Sequence, residues 1–201
     1  MLLRSIHRAA IQVPRTRALA PALAEVAGPA ESLLDVGAGD GALGEAVARA
    51  IGASRVAGAD ILAQPGARLP VAIYEGDTLP FDAGAFEVVL LSDVLHHAAS
   101  PTRLLDEAAR VARRAVVVKE HFAFDAASRR LLLALDIAAN RQYGIAVRGS
   151  YLSPADLVTL ASGAELRVGA LRWPLDVHAW PVRWLVPSAL HFAARLEKAA
   201  R

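Results

Sequence analysis

Apolar and polar residues follow two alternating patterns along the chain. Short, almost continuous apolar runs are followed by longer segments in which apolar residues recur every three or four positions. Runs of the first kind predict buried strands, and segments of the second kind predict helices. Because strands and helices alternate, the pattern predicts a mainly parallel sheet with helices on both faces.

The predicted strands cover 32–36, 55–60, 71–77, 86–93, 115–121 and 165–173. Helices are predicted at 41–51, 100–113, 125–140 and 153–163, and an N-terminal helix is expected to cover the edge of the sheet. The strand at 86–93 is apolar on both faces, which predicts a central position. By its pattern alone, the last segment, 188–198, suits either a strand or a helix.

Polar residues follow the first five predicted strands. Because the carboxyl ends of parallel strands meet at one edge of a sheet, these residues are expected to gather there, where open α/β sheets bind ligands. The clusters are Asp35 to Asp40, Asp60, Asp77, Ser92 to His97, and Lys119 to His121.

Length and composition limit the possible classes of protein. The 201 residues suit one domain, predicted as 1–201 with an N-terminal helical segment at 1–30 and a helical insertion at 122–163. There is no cysteine, which excludes disulfides, thiolate zinc sites and cysteine nucleophiles and fits a reducing cytoplasm. The net charge of +2 is too even to indicate a nucleic-acid partner.

The segment "LLDVGAGDGALGEAVA" places three glycines where a strand becomes a helix. Glycine supplies the positive φ angles of such a turn, which can hold a dinucleotide, a phosphate or another nucleoside ligand. A Walker loop is excluded because no Gly-Lys-Ser/Thr follows. Gly37, Gly39 and Ala42 match the dinucleotide pattern G-x-G-x-x-G/A, and Asp60 lies at a suitable distance for a ribose.

The same segment resembles motif I of the class I S-adenosylmethionine-dependent methyltransferases. Asp35 and Asp40 flank the turn and would repel a pyrophosphate, whereas they suit a cationic sulfonium ligand. The likeness continues in "VAGAD" and in "EGDTLPFDAGAFEVVLLSDVLHH". It implies S-adenosylmethionine as cofactor and these cofactor-binding residues: Asp35, Gly37, Ala38, Gly39, Gly41, Asp60, Ile61, Gly76, Asp77, Thr78, Leu79, Ser92 and Asp93.

The resemblance also implies individual roles. Asp35 would help to hold the methionine ammonium side through the turn, Asp60 would hold the ribose, and Asp77 would hold the adenine, with Thr78 and Leu79 beside the ring. The expected fold is α/β, a doubly wound, mostly parallel seven-stranded Rossmann-like sheet with an antiparallel last strand.

The second half is also similar to a subgroup of small methyltransferases whose substrate is unclear. The similarity rests on "VVVKEHF", "LDIAANRQYG", "YLSPADL" and "LHFAARL". It identifies 188–196 as the seventh, antiparallel strand.

The acceptor side is predicted from polar residues near the ends of the central strands. His96, Glu120 and His121 are the candidate catalytic residues, because an imidazole or a carboxylate can take a proton from an acceptor. Their types suit a metal ion, but their spacing is not diagnostic and no metal is predicted. The candidate substrate-binding residues are His97, Asn140, Tyr143 and Tyr151.

The sequence therefore predicts a methyltransferase with a small-molecule acceptor. An NAD-dependent oxidoreductase and a non-catalytic S-adenosylmethionine-binding partner protein remain alternatives. The Trp-rich segment 173–187 suits a loop packed on the sheet edge, with contact to a membrane surface as the other interpretation. The acceptor and the oligomeric state are left open.

Overall fold

The computed structural model describes residues 13–62, 64–75, 78–140, 147–177 and 186–198. Five helices are α1 (Val13–Ala27), α2 (Ala42–Ile51), α3 (Pro101–Val111), α4 (Ala126–Asn140) and α5 (Pro154–Gly163). The strands are β1 (Ser32–Val36), β2 (Arg55–Asp60), β3 (Val71–Ile73), β4 (Phe86–Ser92), β5 (Ala112–His121), β6 (Leu166–Arg172) and β7 (His191–Lys198). Short 3₁₀ turns cover Leu95–His97 and Ser188–Leu190.

The seven strands form one sheet in the order β3-β2-β1-β4-β5-β7-β6. The pairs among β3, β2, β1, β4 and β5 are parallel, and β7 runs antiparallel to both β5 and β6. This arrangement confirms the predicted fold, including the central position of β4 and the antiparallel last strand. The order also brings the carboxyl ends of β1, β2, β4 and β5 to one edge.

Both faces of the sheet carry an apolar core, because successive strand residues point to opposite faces. In β5, Val116 and Val118 join the core under α3 and α5, whereas Val117 joins the core under α1 and α2. The expectation that the N-terminal helix covers the sheet edge is wrong. Leu19 and Leu23 of α1 are fully buried on a face of the sheet, because that face supplies the apolar partners that an edge lacks.

Several boundaries differ from the predicted ones. The third strand stops at Ile73 instead of residue 77, because β2, its partner in the described sheet, ends opposite it at Asp60. The fifth strand begins at Ala112, directly after α3, and not at residue 115. The last strand runs from His191 to Lys198, and the residues predicted to start it, 188–190, form a 3₁₀ turn.

Helix α4 lies beyond the carboxyl edge of the sheet. Leu132 is its one buried residue among those described, and it packs with Ala123, Tyr151 and Leu190. Asp136 of this helix lies near His96 and His97, in the 3₁₀ turn that follows β4. None of the described helices is both long and apolar enough to span a bilayer.

Candidate functional site

The turn between β1 and α2 has a backbone that glycine favours. Gly37, Gly39 and Gly41 have φ angles of 72°, 56° and 73°. A Cβ atom on Gly37 would lie 2.4 Å from a methyl group of Val94, and one on Gly41 would lie 3.0 Å from Leu69. A Cβ atom on Gly39 would meet no atom within 4 Å. The space beside Gly39 is therefore open in the described structure, and a ligand can approach the backbone there.

The amide groups of this turn already donate to the protein's own acceptors. The amides of Gly37 and Ala38 donate to the Ala59 carbonyl, at 2.8 and 3.2 Å. The amide of Gly39 donates to Oδ2 of Asp60 at 2.7 Å. These three donors are the ones that a phosphate at such a turn would need.

The first turn of α2 is covered by carboxyl groups as well. The Ala42 amide donates to Oδ1 of Asp40 at 3.0 Å, and the Gly44 amide donates to the carboxyl group of Asp35. Negative charge at a helix N-terminus is favourable, so Asp35 and Asp40 take the place that an anionic ligand would occupy. Together with Asp60, they make this edge of the site acidic.

Asp35 is buried beneath the turn, with 3% of its surface exposed. Burial, opposed by the bond from Gly44 and assisted by Asp60 and Asp40, raises the pKa of Asp35 to about 7. A Cβ atom on Gly44 would lie 2.6 Å from its Oδ2 atom, so glycine is required there for close packing. Asp35 therefore supports the turn from the inside and acts on a ligand only through the backbone.

Replacing Asp35 with asparagine should make the protein more stable at high pH. A carboxyl group whose pKa is higher in the folded state than its ordinary 3.8 favours folding fully below pH 3.8 and loses this contribution as the pH rises through about 7. Asparagine does not ionise. Thermal unfolding should therefore give D35N a higher Tm than the wild type at pH 8.5, with the difference disappearing near pH 4. The exposed Asp106→Asn is the control, and an advantage of D35N that is equal at both pH values would contradict this role.

Asp60 lies at the end of β2, beside the open space at Gly39. Its Oδ1 atom accepts from the Leu62 amide at 3.0 Å, while Oδ2 accepts from Gly39. Each carboxylate oxygen can accept a second bond. Ile61, which follows, is 60% exposed. A carboxylate fixed in this way by two amides is suited to accept bonds from neighbouring hydroxyl groups.

The other predicted cofactor residues have different surroundings. Thr78 is exposed, whereas Leu79 is 1% exposed and lies in the core, with its amide held by Glu107. Leu79 thus packs inside the domain instead of lining an open surface. Gly76 and Asp77 lie outside the described residues.

Residues Ser92 and Asp93 end β4. The buried Oγ atom of Ser92 has no hydrogen-bond partner among the described residues. Asp93 has a φ of 55°, and its carboxylate binds Nζ of Lys119 at 2.5 Å and the guanidinium of Arg15 from α1. Although burial opposes ionisation, Lys119 and Arg15 hold the pKa of Asp93 well below its usual range. An orphaned hydroxyl and a strained turn here mark a place suited to a ligand.

The predicted catalytic residues do come together. Oε1 of Glu120 accepts from the Leu95 amide at 2.8 Å, and Oε2 lies 2.5 Å from Nδ1 of His96. Nδ1 of His121 lies 3.7 Å from the same Oε2 atom and 3.5 Å from Oδ1 of Asp93. Burial alone would lower the pKa of His96, but Glu120 and its neighbouring acids raise it above the ordinary value. His96 and Glu120 therefore form a buried ion pair.

Asp136 of α4 ties the substrate-side residues to this pair. Its carboxylate accepts from Nδ2 of Asn140 at 2.5 Å and from the Tyr151 hydroxyl at 3.0 Å. It also lies 3.8 Å from Nε2 of His96 and 3.5 Å from Nε2 of His97. Burial and the neighbouring Asp136 raise the pKa of Tyr151 above its usual range, so this phenol stays protonated. Tyr143, the remaining predicted residue, lies outside the described residues.

Two groups of side chains have the types that bind metal ions. Asp93, His96, Glu120 and His121 offer ligand atoms within 4.8 Å of one another, and so do His96, His97 and Asp136. Lys119 and Arg15 already bind Asp93, and His96 already binds Glu120. A divalent cation would have to compete with these three bases for the carboxylates. We therefore assign no metal ligand.

Arg15 and Asp136 were not among the residues predicted for this site, and Lys119 was predicted only to lie at the sheet edge, without a role. The lone acid in the apolar run "LLLALDIAA" was the available indication for Asp136, since an acid on an apolar helix face usually has a partner. Lys119 similarly follows an apolar strand and is fully buried. Nothing in the sequence near Arg15 indicates that it reaches Asp93.

Comparison with known proteins shows the family of the chain and agrees with its fold. The methyltransferase domain family matches residues 7–171, and the chain belongs to that family. S-adenosylmethionine is the cofactor of this family. No curated protein matches the chain in sequence.

Solved structures share the fold at low sequence identity. A chain of the Haloferax volcanii complex that contains the Trm112 methyltransferase activator has a TM-score of 0.67 at 16% identity, over 98% of this chain and 93% of that one. The YcgJ protein from Bacillus subtilis gives 0.65 at 15%, over 92% and 99%. Magnesium protoporphyrin IX methyltransferase from Synechocystis PCC 6803, with bound SAH, gives 0.60 at 13%, over 94% and 85%.

Proposed function

We propose that the protein transfers a methyl group from S-adenosylmethionine to a small molecule bound beside the ends of β4 and β5. The observation that carries this proposal is the glycine turn, which combines an open backbone at Gly39 with carboxyl groups around it. S-adenosylmethionine supplies a methyl group on a positively charged sulfur. The protein has to bind it, align the acceptor and exclude water.

The acidic turn favours this cofactor over a dinucleotide. A pyrophosphate at the start of α2 would need amides that already donate to Asp35, Asp40 and Asp60, and it would face the negative charge of Asp40 and Asp60. A sulfonium nucleoside has no phosphate and carries a positive charge, so the same acids attract it. Asp60 is positioned to accept the ribose hydroxyls, and the unpaired hydroxyl of Ser92 is available as a further partner.

The acceptor is placed at the carboxyl edge beyond the cofactor turn. His96, Glu120 and His121 lie there, and Asp136 connects them to His97, Asn140 and Tyr151. A nucleic-acid backbone needs basic side chains, whereas Lys119 and Arg15 of this cluster are already paired with Asp93. We therefore propose a small-molecule acceptor, and a cysteine-free chain suits a reducing cytoplasm.

Calorimetry with S-adenosylhomocysteine tests the cofactor site. The variant Asp60→Ala loses the proposed ribose partner and the support of the Gly39 amide, so its affinity should fall about 10–100-fold, as expected for hydrogen bonds to a charged group. Asp106→Ala, at an exposed position, should bind like the wild type. The proposal predicts no binding of NADH. Binding of NADH without S-adenosylhomocysteine, or equal affinities for D60A and D106A, would overturn it.

A further inference from the structure

His121, the last residue of β5, differs from the other ionisable residues of the cluster. Its Nδ1 atom is buried and makes no hydrogen bond among the described residues. Its side chain is nevertheless 16% exposed. Because Nδ1 itself has no exposed surface, the exposed part belongs to the rest of the imidazole ring. His121 is thus buried on its Nδ1 side, while another part of its side chain is exposed.

The neighbouring groups are engaged by one another. Both oxygens of Glu120 accept hydrogen bonds, Asp93 is held by two cations, and the Tyr151 phenol donates to Asp136. His96 is paired with Glu120 and is almost fully buried. None of these groups combines accessibility with a free lone pair suited to taking a proton.

Two further histidines need comparison. Only 2% of His191 is exposed, so an acceptor cannot reach its ring. His97 is 17% exposed in its side chain, and its Nε2 atom faces Oδ1 of Asp136 at 3.5 Å. His97 is therefore engaged through the nitrogen that His121 leaves accessible.

We infer that His121 is the general base of the proposed methyl transfer and that the acceptor is a hydroxyl compound whose proton it takes at Nε2. The inference rests on the proposed function. It goes further, because methyl transfer as such requires no base, and it assigns a chemical class to the acceptor.

The carboxylates around His121 determine which nitrogen is free. Glu120 and Asp93 both lie on the Nδ1 side, at 3.7 and 3.5 Å, and so favour a proton on Nδ1. The lone pair then remains on Nε2, away from the buried Nδ1 atom. Glu120 is a positioning residue in this arrangement, since it orients both His121 and His96.

The charge of His121 is set by all the elements packed around it. Burial and the neighbouring Lys119 lower the pKa of His121, against the opposing effect of Glu120 and Asp93. The ring is therefore neutral near pH 7 and able to accept a proton. Six ionisable groups face the ring: Lys119 and Glu120 of β5, Asp93 directly after β4, His96 of the 3₁₀ turn, His191 of β7 and Tyr151 before α5.

The proposed step balances with the cofactor and acceptor alone. The acceptor O–H bond breaks and its proton moves to Nε2 of His121. The oxygen forms a bond to the methyl carbon while the carbon–sulfur bond breaks and its electron pair stays on sulfur. The products are a methyl ether and S-adenosylhomocysteine, and the imidazolium returns its proton to solvent.

A hydroxyl acceptor fits the charges of the cluster better than an ammonium compound. The two carboxylates that face His121 already have cationic partners: Lys119 and Arg15 for Asp93, and His96 for Glu120. Neither carboxylate is left to neutralise an ammonium ion bound at His121, whose desolvation would be costly. A neutral hydroxyl group needs only a hydrogen-bond acceptor, and Nε2 is one.

Nitrogen NMR of the full chain with S-adenosylhomocysteine bound tests the proton position directly. In ¹⁵N-histidine protein, the signal lost in His121→Gln identifies the residue. We expect a neutral ring at pH 7, protonated on Nδ1 and bare on Nε2, that titrates below the ordinary value of 6.5. A ring protonated on Nε2, or charged at pH 7, would overturn the inference and leave cofactor binding unaffected.

Activity provides the second test, with methyl-labelled S-adenosylmethionine and a bacterial metabolite extract as the acceptor source. H121Q should bind S-adenosylhomocysteine within about twofold of the wild type, yet transfer methyl groups at least about 100-fold more slowly at pH 7. The wild-type rate should fall at low pH as His121 becomes protonated, and H121Q should lose this dependence. The matched variant His97→Gln should keep it, whatever its rate. The labelled product should be a methyl ether.

The outcomes separate the two hypotheses. Loss of the pH profile in H97Q instead of H121Q, or a labelled methylamine as the product, would refute the role of His121 while the methyltransferase function stands. If the wild type binds the cofactor and labels nothing in the extract, the enzymatic function fails, and the inference fails with it.

Discussion

Gly37→Ala is expected to destabilise the fold by about 2–5 kcal/mol, because two effects act together. Its backbone has a φ of 72°, which an L side chain rarely adopts, and the new methyl group would lie 2.4 Å from Cγ2 of Val94. Val94 precedes the 3₁₀ turn that carries His96, so it cannot move freely. Urea denaturation measures the free energy of unfolding of the variant and the wild type.

Two other glycines provide matched controls for this result. Gly39 and Gly52 also have positive φ angles, 56° and 77°, but alanine at either position would meet no atom within 4 Å. Each substitution should therefore cost only about 1–2 kcal/mol from backbone strain. G39A should also weaken S-adenosylhomocysteine binding more than tenfold, since its methyl group enters the proposed cofactor space, whereas G52A should not. Equal losses of stability in all three variants would refute the importance of the Val94 contact.

Glu120→Gln should lower the free energy of unfolding by about 3–5 kcal/mol, the range measured when one partner of a buried ion pair is removed. Glutamine has nearly the same shape and can still accept from the Leu95 amide. It leaves His96, which is 2% exposed, without a counterion in the buried pair. The loss is therefore assigned to charge and not to packing.

The effect of E120Q should depend on pH. The pKa of Glu120 is lowered in the folded state, because His96 and the bonds to it outweigh burial, so its contribution is present above the ordinary value of 4.5 and declines below it. The pKa of His96 is raised, so its contribution is full below 6.5 and is lost above its folded value. The difference between E120Q and the wild type, measured by urea unfolding, should therefore be largest between pH 4.5 and 6.5.

The ion pairs of Glu45 on the surface provide the control for E120Q. Glu45 contacts Arg49 and Arg68, all partly exposed, so Glu45→Gln should cost about 0–1 kcal/mol. Equal losses of stability in E120Q and E45Q at pH 5.5 would show that His96 and Glu120 do not form a buried ion pair.

The fold was largely predictable because its strands are short apolar runs separated by helices. The runs at 32–36 and 55–60 are the strands of the structure, to the residue. The predicted boundaries were wrong where pairing with a neighbouring strand determines the end of a strand. The edge strand β3 ends where β2 ends, and the last strand starts only where His191 pairs with His121. Such limits depend on neighbours that are distant in sequence.

The candidate site was predictable only along the sheet edge. Glu120 and His121 end β5, and Asp93 and His96 follow β4. Because β4 and β5 are parallel neighbours in the sheet, the topology brings these residues together. The partners supplied by helices, Arg15 from α1 and Asp136 from α4, could not be inferred, since helix orientation depends on packing. The same applies to α1, which covers a face of the sheet and not its edge.

The occupied amides of the glycine turn have a consequence for competition among ligands. ATP, NAD and related compounds share the adenosine group of S-adenosylmethionine and differ from it in their phosphates. If the turn is the cofactor site that we propose, its amides already donate to Asp35, Asp40 and Asp60, and the charges of Asp40 and Asp60 would repel these compounds where other nucleotide sites offer bonds. The protein would thus remain available to its cofactor in a mixture dominated by adenosine phosphates, and this selectivity would not depend on the acceptor.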